Sequence, residues 1–218
     1  MKLDVPLDIP KDAAFPECKD KSQLKRWLWR HIQIPQLLYL ITTRNADGTS
    51  NCEANNRGLP FGSLPAQRFA FVCWRAHHTA QNVLRDREFV VNIPGAGILE
   101  QALQTARPYE MGIDEVTESG LTPLPARTVS PPRIEECALH IECKLDWHKE
   151  IGDAGMILLC GRIVAASGDR QALTGDVETK MRHTRPFFVM PRGIDTEAMR
   201  LTGTGATVGE IGRVRQVK

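Results

Sequence analysis

The chain has 218 residues, of which 42% are hydrophobic and 25% are charged, and its formal net charge is +2. This composition is typical of one globular domain with terminal extensions, and it excludes a disordered or fibrous protein. Because basic and acidic residues are mixed along the chain, the sequence predicts no nucleic-acid surface, whereas a small anionic cofactor is compatible with it.

The N-terminal sequence has no apolar core of the signal-peptide type, and no stretch approaches the roughly 20 apolar residues that cross a bilayer. We therefore predict a cytoplasmic protein with reduced thiols and no membrane partner. The six cysteines form no CxxC pair and the histidines no HExxH motif, so no metal site is predicted. Residues 1–35 are predicted to be an extended arm that ends in a short helix beginning at Ser22.

The first half of the folded region predicts strands joined by tight turns. The sequence LLYLITTRNADGTSNCEA predicts two strands around a turn at Asn45–Gly48, because Asp-Gly supplies the positive φ of a tight hairpin. The aromatic and β-branched residues of Arg68–Trp74 and Glu88–Ile93 predict two further strands. Between them we predict a helix over His77–Arg87, with Thr79 near its start.

A second helix is predicted over Ile98–Ala106, followed by a long surface connection over Tyr109–Arg133. Apolar residues then alternate with polar ones over Cys137–Trp147, which predicts a strand with one core face. Its predicted partner is Met156–Ala166, which is apolar enough to be buried on both faces. The Gly- and Thr-rich sequence beyond Pro191 is predicted to extend over the surface or to fray.

Successive strands with only two helical interruptions favour an antiparallel barrel over a doubly wound parallel sheet. Conventional catalytic motifs (GxSxG, GxxxxGK, HExxH, and GxGxxG after a strand) are absent from the sequence. The predicted start of the helix at His78 and Thr79 is a candidate phosphate site, to which Arg75 could add a cation. Thr79 is equally well explained as the N-cap of this helix.

Four segments, in order along the chain, carry a resemblance to a known family: LYLITTRNADGTSN, HHTAQNVLRDREFVVNI, MGIDEVTESGLTPLPARTVSPPRI and ALHIECKLDWHKEIGDAGMILLCGRIVA. Over about residues 36–166 they are similar in order and spacing to the flavin reductase-like family, which has the FMN-binding split-barrel fold. The resemblance implies a mainly β fold with peripheral helices: a six-stranded antiparallel split barrel over residues 36–190, between the arm at 1–35 and a tail at 191–218. It also implies a homodimer that holds FMN noncovalently at the subunit interface.

The resemblance also implies which residues contact the cofactor. They are Asn55, Asn56 and Ser63 in the loop after the second strand, His78, Thr79 and Asn82 toward the phosphate and ribityl chain, and Phe187 or Trp74 against the ring. Glu115 occupies a position where some relatives carry a lysine, which removes one cation from the phosphate region. Arg57 and Arg75 are candidate contacts for the nicotinamide phosphate.

The leading hypothesis is an oxidoreductase in which NAD(P)H reduces FMN and the electrons pass to a small-molecule or protein acceptor. No catalytic side chain is expected, because the flavin carries the hydride chemistry. Two alternatives stay open from the sequence: a non-enzymatic FMN-binding electron carrier, and a split barrel that has lost flavin and binds another small ligand.

Overall fold

The computed structural model describes residues 34–152, 155–195 and 200–207. The predicted N-terminal arm and the helix beginning at Ser22 lie outside the described residues. Within the described ranges, none of the helices combines the length and the apolar character needed to span a membrane.

Short helices alternate with strands along the described chain. The strands are β1 (Gln36–Leu37), β2 (Tyr39–Arg44), β3 (Ser50–Asn55), β4 (Gly58–Phe61), β5 (Arg68–Trp74), β6 (Glu88–Ile93), β7 (Pro123–Leu124), β8 (Arg133–Ile134), β9 (Leu139–Ile151), β10 (Met156–Gly168), β11 (Phe187–Asp195) and β12 (Arg200–Thr207). The helices are α1 (His78–Asp86), α2 (Leu99–Gln104), α3 (Glu115–Glu118), α4 (Arg170–Thr174) and α5 (Val177–Thr184), with a 3₁₀ turn at Ala96–Ile98.

Seven strands form one antiparallel sheet in the order β3-β2-β6-β9-β10-β5-β4. The predicted hairpin is present: β2 pairs with β3, and Gly48 in the turn has a φ of 88°. The mainly β, antiparallel fold class is therefore confirmed, with seven strands in the main sheet where six were expected. The additional strand is β4, which contains Pro60, a residue that an edge strand tolerates.

The sheet curls until its two ends approach each other, as in a split barrel. Gly58 on the edge strand β4 lies so close to β2 that a Cβ placed on it would be 3.3 Å from the Tyr39 ring. The Tyr39 ring in turn meets Phe69 of β5 edge to face, with centroids 5.1 Å apart. Asn55, at the end of β3, donates a hydrogen bond to the carbonyl oxygen of Val72 at 3.0 Å.

The interior of this curled sheet is a single hydrophobic core. Its buried members come from five strands and from α1: Tyr39, Ile41, Phe69, Phe71, Cys73, Ala80, Val83, Phe89, Val91, Cys143, Leu145, Ile157 and Leu159. Because Ala80 and Val83 belong to this core, the packing fixes the position of α1 and therefore the position of its N-terminal end.

A second core covers the outer side of β2 and β3. Its members are Leu38, Leu40, Cys52, Ala102, Val116, Leu121, Ile134, Cys137, Phe187 and Val189. They include side chains from α2, α3 and β11, so this core holds those elements against the sheet. The segment after α2 and the start of α3 are thereby brought close to β3.

The segment beyond Pro191 differs from the prediction of an extended or frayed tail. β11 and β12 pair as an antiparallel hairpin, in which Phe187 lies opposite Thr207. The Thr-rich sequence is compatible with a strand once a partner strand is present. That partner is anchored by Phe187 and Val189, which are buried in the second core.

The long connection over Tyr109–Arg133 is also more ordered than expected, since it contains α3 and β7. The Asp114 carboxylate caps α3 by accepting a hydrogen bond from the Thr117 amide at 3.0 Å. The fully buried Glu142 of β9 accepts the amide of Thr128 at 2.7 Å. Burial alone would raise the pKa of Glu142, but its hydrogen bonds to Arg127 and Thr128 outweigh burial and lower it.

The alternation predicted for β9 holds only over Cys143–Leu145: His140 and Glu142, which were expected on the polar face, are buried as well, and the pattern reverses after Leu145. Leu145 pairs with Gly161, whereas Trp147 pairs with Cys160, so the pairing shifts by one residue at Asp146. Such a bulge turns the next side chain to the opposite face. Trp147 therefore lies on the outer face, 42% exposed, although the pattern placed it in the core.

Candidate functional site

A cavity of about 440 Å³ lies where β3, the end of β5, the start of α1 and the segment after α2 meet. Its volume is within the range of small-molecule sites. The polar residues that line it include Asn51, Glu53, Asn56, His77, His78, Thr79 and Glu115. Arg57, Trp74, Arg107 and Tyr109 complete much of the wall.

The N-terminal end of α1 forms part of this wall. His77 is the N-cap residue, with extended backbone, and no side chain of the described residues caps the helix there. No acidic residue lies in the first turn of the helix. The first N–H groups and the positive end of the helix dipole are therefore available to an anion in the cavity.

Thr79 is the second residue of α1, so its interpretation as the N-cap is wrong. Its side chain is buried, and its hydroxyl oxygen accepts a hydrogen bond from the Asn51 amide at 2.8 Å. Asn51 also donates to the Thr43 hydroxyl at 3.1 Å. Because the Thr79 oxygen accepts from Asn51, the hydrogen of this hydroxyl is left to donate to another acceptor.

Two histidine–carboxylate pairs lie in the cavity wall. His77 Nδ1 lies 3.3 Å from Glu53 Oε1, and the hydrogen bond with Glu53 raises the pKa of His77. His78 Nδ1 lies 3.7 Å from Glu115 Oε1. Burial raises the pKa of Glu115 to about 7, although its Oε2 accepts the Cys52 amide at 2.8 Å.

Glu53 adds a buried oxygen that lacks a partner. Its Oε2 makes no hydrogen bond to any of the described residues. An unpaired buried acceptor is costly unless a ligand or water donates to it. This atom lies on a residue of the cavity wall, so it is a candidate acceptor for a ligand N–H or O–H group.

Four residues predicted from the resemblance line the cavity: Asn56, Trp74, His78 and Thr79. They come from the end of β3, the end of β5 and the start of α1, so three segments that are separate in the sequence meet at one cavity. Arg57, the predicted nicotinamide contact, also lines the cavity.

The other predicted residues lie elsewhere. Asn55 is buried and bonds Val72 and the Arg57 amide, and Ser63 lies in an exposed loop. Asn82 is buried on α1, where its side-chain amide donates to the Thr43 hydroxyl at 3.0 Å and to Asn45 Oδ1 at 2.8 Å. Phe187 is buried in the second core, away from the cavity wall.

Arg75 pairs with Glu150 at 3.2 Å on the surface and does not line the cavity. Sequence reasoning missed Glu53, His77, Arg107 and Tyr109. The polar residues at alternate positions of a predicted strand, Asn51 and Glu53, could have indicated a polar face on β3. No sequence pattern marks Arg107 or Tyr109. Their segment reaches the cavity only through the tertiary packing of the second core, which a local pattern does not show.

The sequence model of the flavin reductase like domain matches residues 30–185. The chain belongs to the flavin reductase-like family. Its relatives include YwrF of Bacillus subtilis, which is 30% identical over 141 residues, or 60% of this chain and 67% of YwrF. An Aquifex aeolicus protein is 36% identical over 86 residues, which cover 36% of this chain and 44% of that protein.

Several solved structures share the fold of this chain. A split-barrel protein from Shewanella frigidimarina superposes with a TM-score of 0.77 and 18% identity, covering 96% of this chain and all (100%) of that one. Nitrilotriacetate monooxygenase component B of Bacillus cereus superposes with a TM-score of 0.73 and 19% identity, covering 94% of this chain and 100% of that one. Flavoredoxin of Desulfovibrio vulgaris superposes with a TM-score of 0.67 and 22% identity, covering 83% of this chain and 90% of that one. At these identities the structures establish the shared fold.

Proposed function

We propose that the protein binds FMN in this cavity and catalyses its reduction by NAD(P)H, after which electrons pass to a soluble acceptor. The observation that carries the proposal is that the N-terminal end of α1 lies in the cavity wall. No side chain of the described residues caps this end. Because the chain belongs to the flavin reductase-like family, we assign this helix end to the phosphate of a flavin nucleotide.

The residues of the cavity fit such a ligand. The α1 N–H groups and the Thr79 hydroxyl would hold the phosphate, since both are donors at one end of the wall. Trp74, 36% exposed, offers an aromatic face to a planar ring. Asn56 supplies a further polar contact. Asn82 acts indirectly: it and Asn51 donate to the same Thr43 hydroxyl oxygen, and Asn51 also donates to the Thr79 hydroxyl.

When bound, the flavin supplies the hydride-accepting ring. The protein holds the phosphate, fixes the ring and limits the access of water. Arg57 lines the cavity and is the candidate contact for the nicotinamide phosphate, whereas Arg75 is paired with Glu150. We place the reaction in the cytoplasm, in keeping with the free cysteines among the described residues: Cys52, Cys73, Cys137, Cys143 and Cys160.

We also propose that a second copy of the chain covers the cavity. Strand register places Trp74, Met156 and Ile151 in one row across β5, β10 and β9, on the outer face of the sheet. Trp147 and Leu59 lie on the same face, and the exposed fractions are 36% for Trp74, 38% for Ile151, 42% for Trp147 and 56% for Leu59. Trp74 belongs both to this apolar face and to the cavity wall, so a partner on this face would adjoin the bound flavin.

Rapid mixing of the FMN-loaded protein with NADH or NADPH, without oxygen, tests the proposed reaction. We expect at least one nucleotide to bleach the visible absorption of bound flavin faster than that of free FMN at equal concentration. Bound flavin that resists both nucleotides but is reduced by dithionite would favour the electron-carrier alternative. Protein that takes up no FMN would favour the split barrel with another ligand.

A further inference from the structure

Glu115 occupies an unusual position for a carboxylate in an anion site. Its side chain is only 7% exposed and stands at the start of α1, where its Oε1 lies 3.7 Å from His78 Nδ1. Its Oε2 accepts the Cys52 amide of β3 at 2.8 Å. Glu115 and Thr79 line the same cavity. A charged Glu115 therefore lies beside the donors that would hold a phosphate.

The neighbouring charges do not remove this conflict. Glu53 on β3 and Asp114 on α3 both act on Glu115 as like charges, and His77 opposes them. In a poorly hydrated cavity, repulsion between a carboxylate and a phosphate dianion is stronger than in water. The titratable or charged groups that face Glu115 or share its cavity are Cys52 and Glu53 of β3, Arg57 after β3, His77 and His78 at α1, Arg107 and Tyr109 after α2, and Asp114 just before α3.

We propose that phosphate binding in this cavity is linked to protonation of Glu115. The protein takes up a proton from solvent at the Glu115 carboxyl when it binds FMN, and takes up none when it binds riboflavin, which has no phosphate. The preference for FMN over riboflavin therefore weakens as pH rises. This inference rests on the proposed function, because it concerns the ligand of the same site.

Glu115 is the carboxylate best placed to accept that proton. The neighbouring Asp114 carboxylate accepts amide hydrogen bonds from Thr117 and from Ser50, which lower its pKa although burial acts in the opposite sense. Glu53 is paired with His77 at 3.3 Å. Burial raises the pKa of Glu115 to about 7, so its proton exchanges near neutral pH.

Equilibrium titrations of the full chain with FMN and with riboflavin, followed by quenching of flavin fluorescence, test this linkage. Measurements at about pH 7 and about pH 9 stay above the second ionisation of a phosphate monoester near about 6. We expect the FMN affinity of the wild type to fall at least about tenfold over this interval, while riboflavin affinity stays constant. In Glu115→Gln, most of this fall should be lost, and what remains reflects His77, whose pKa the contact with Glu53 raises.

Glu118→Gln is the matched control, because Glu118 is exposed on the same helix. It should keep the pH dependence of the wild type. Calorimetry of the unmodified protein near pH 7, in buffers of different ionisation enthalpy, gives a second readout: proton uptake with FMN and none with riboflavin. This readout does not depend on the folding of a variant.

The outcomes separate the two proposals. If both flavins bind and the FMN affinity of the wild type does not change with pH, or if Glu115→Gln keeps the change, the Glu115 linkage is overturned and the flavin site stands. If neither flavin binds to the wild type, the proposed function is overturned together with the linkage.

Discussion

Thr79 is a buried hydroxyl at the start of α1 to which we assign a role in binding rather than in capping the helix. It lies one residue beyond the first helical position, and its oxygen accepts the Asn51 amide at 2.8 Å. Thr79 lines the cavity, but the sequence could not decide between a helix cap and a ligand contact at this residue. Threonine serves both roles, and only the backbone of His77 shows where the helix begins.

Replacement of Thr79 by valine removes the hydroxyl and keeps the side-chain volume. We expect Thr79→Val to weaken FMN binding by about 1–3 kcal/mol, because a hydrogen bond to a charged group is lost. Riboflavin binding should change much less. Thr117→Val, at an exposed position on α3, is the control and should bind both flavins normally. Equal losses for FMN and riboflavin would contradict a phosphate contact at Thr79.

Glu115 should also leave a signature in protein stability without ligand. Burial raises its pKa from the ordinary value of 4.5 to about 7, so the folded state binds this proton more tightly than the unfolded state. Stability contributed by this group is therefore present below about pH 4.5 and is lost as pH rises to about 7.

We compare the unfolding free energy of Glu115→Gln with that of the wild type. From about pH 4.5 to about pH 8, this difference should shift by about 3 kcal/mol in favour of Glu115→Gln. His140, whose pKa burial lowers to about 4, acts in the opposite direction but is present in both proteins, so it cancels in the comparison. Urea unfolding at both pH values measures the difference. A difference that does not change with pH would show that Glu115 is not buried in its charged form.

At the scale of elements, close packing inside the barrel depends on a small residue. Gly161 of β10 lies against β6 and β9: a Cβ placed on it would be 2.6 Å from the Phe89 ring and 2.9 Å from the Cys143 Cβ. Those neighbours belong to the inner core and cannot move without disturbing it. The bulge that turns Trp147 outward begins beside Gly161.

Gly161→Ala should therefore lower the unfolding free energy by about 1–3 kcal/mol through overpacking. Gly97→Ala is the matched control, since a Cβ at Gly97 would meet no described atom within 4 Å and its φ is not in the left-handed region. Thermal or urea unfolding measures both variants. Equal stability of the two variants would mean that the core around Phe89 adapts without cost.

Strands and helices with strong local patterns were predictable, and elements that depend on distant partners were not. The hairpin of β2 and β3, the strands β5 and β6, and helix α1 follow from turn residues and periodicity. β4 was hidden by Pro60, and the bulge at Asp146 has no pattern of its own. β12 needed its partner β11 before its Thr- and Gly-rich sequence could form a strand.

The site was predictable to a similar extent. His78 and Thr79 line the same cavity as Trp74. All three were named from the motifs that resemble the flavin reductase-like family. Asn82 does not line the cavity: one helical turn beyond Thr79, its side-chain amide points to the hairpin and donates to Asn45 Oδ1. Phe187 was assigned from the resemblance, as an aromatic residue near the end of the barrel, and packing buries it in the second core.

At the scale of the whole molecule, the outer face of β4, β5, β10 and β9 is the surface that we expect a second copy to cover. Light scattering coupled to size-exclusion chromatography should give twice the mass of one chain. Trp147→Asp should shift the protein toward one chain, because it places a charge in the middle of the apolar face. Val177→Asp is the control: Val177 is an exposed apolar residue on α5, 72% exposed, outside this face. A wild type with the mass of one chain would contradict the proposed dimer.

Direct titration of the purified chain with FMN tests the central claim that the cavity at the start of α1 is a flavin site. We predict saturable quenching of flavin fluorescence with one FMN per chain, weakened by Thr79→Val and unchanged by Thr117→Val. Quenching that does not saturate, or FMN binding that Thr79→Val leaves unchanged, would contradict the assignment of this cavity.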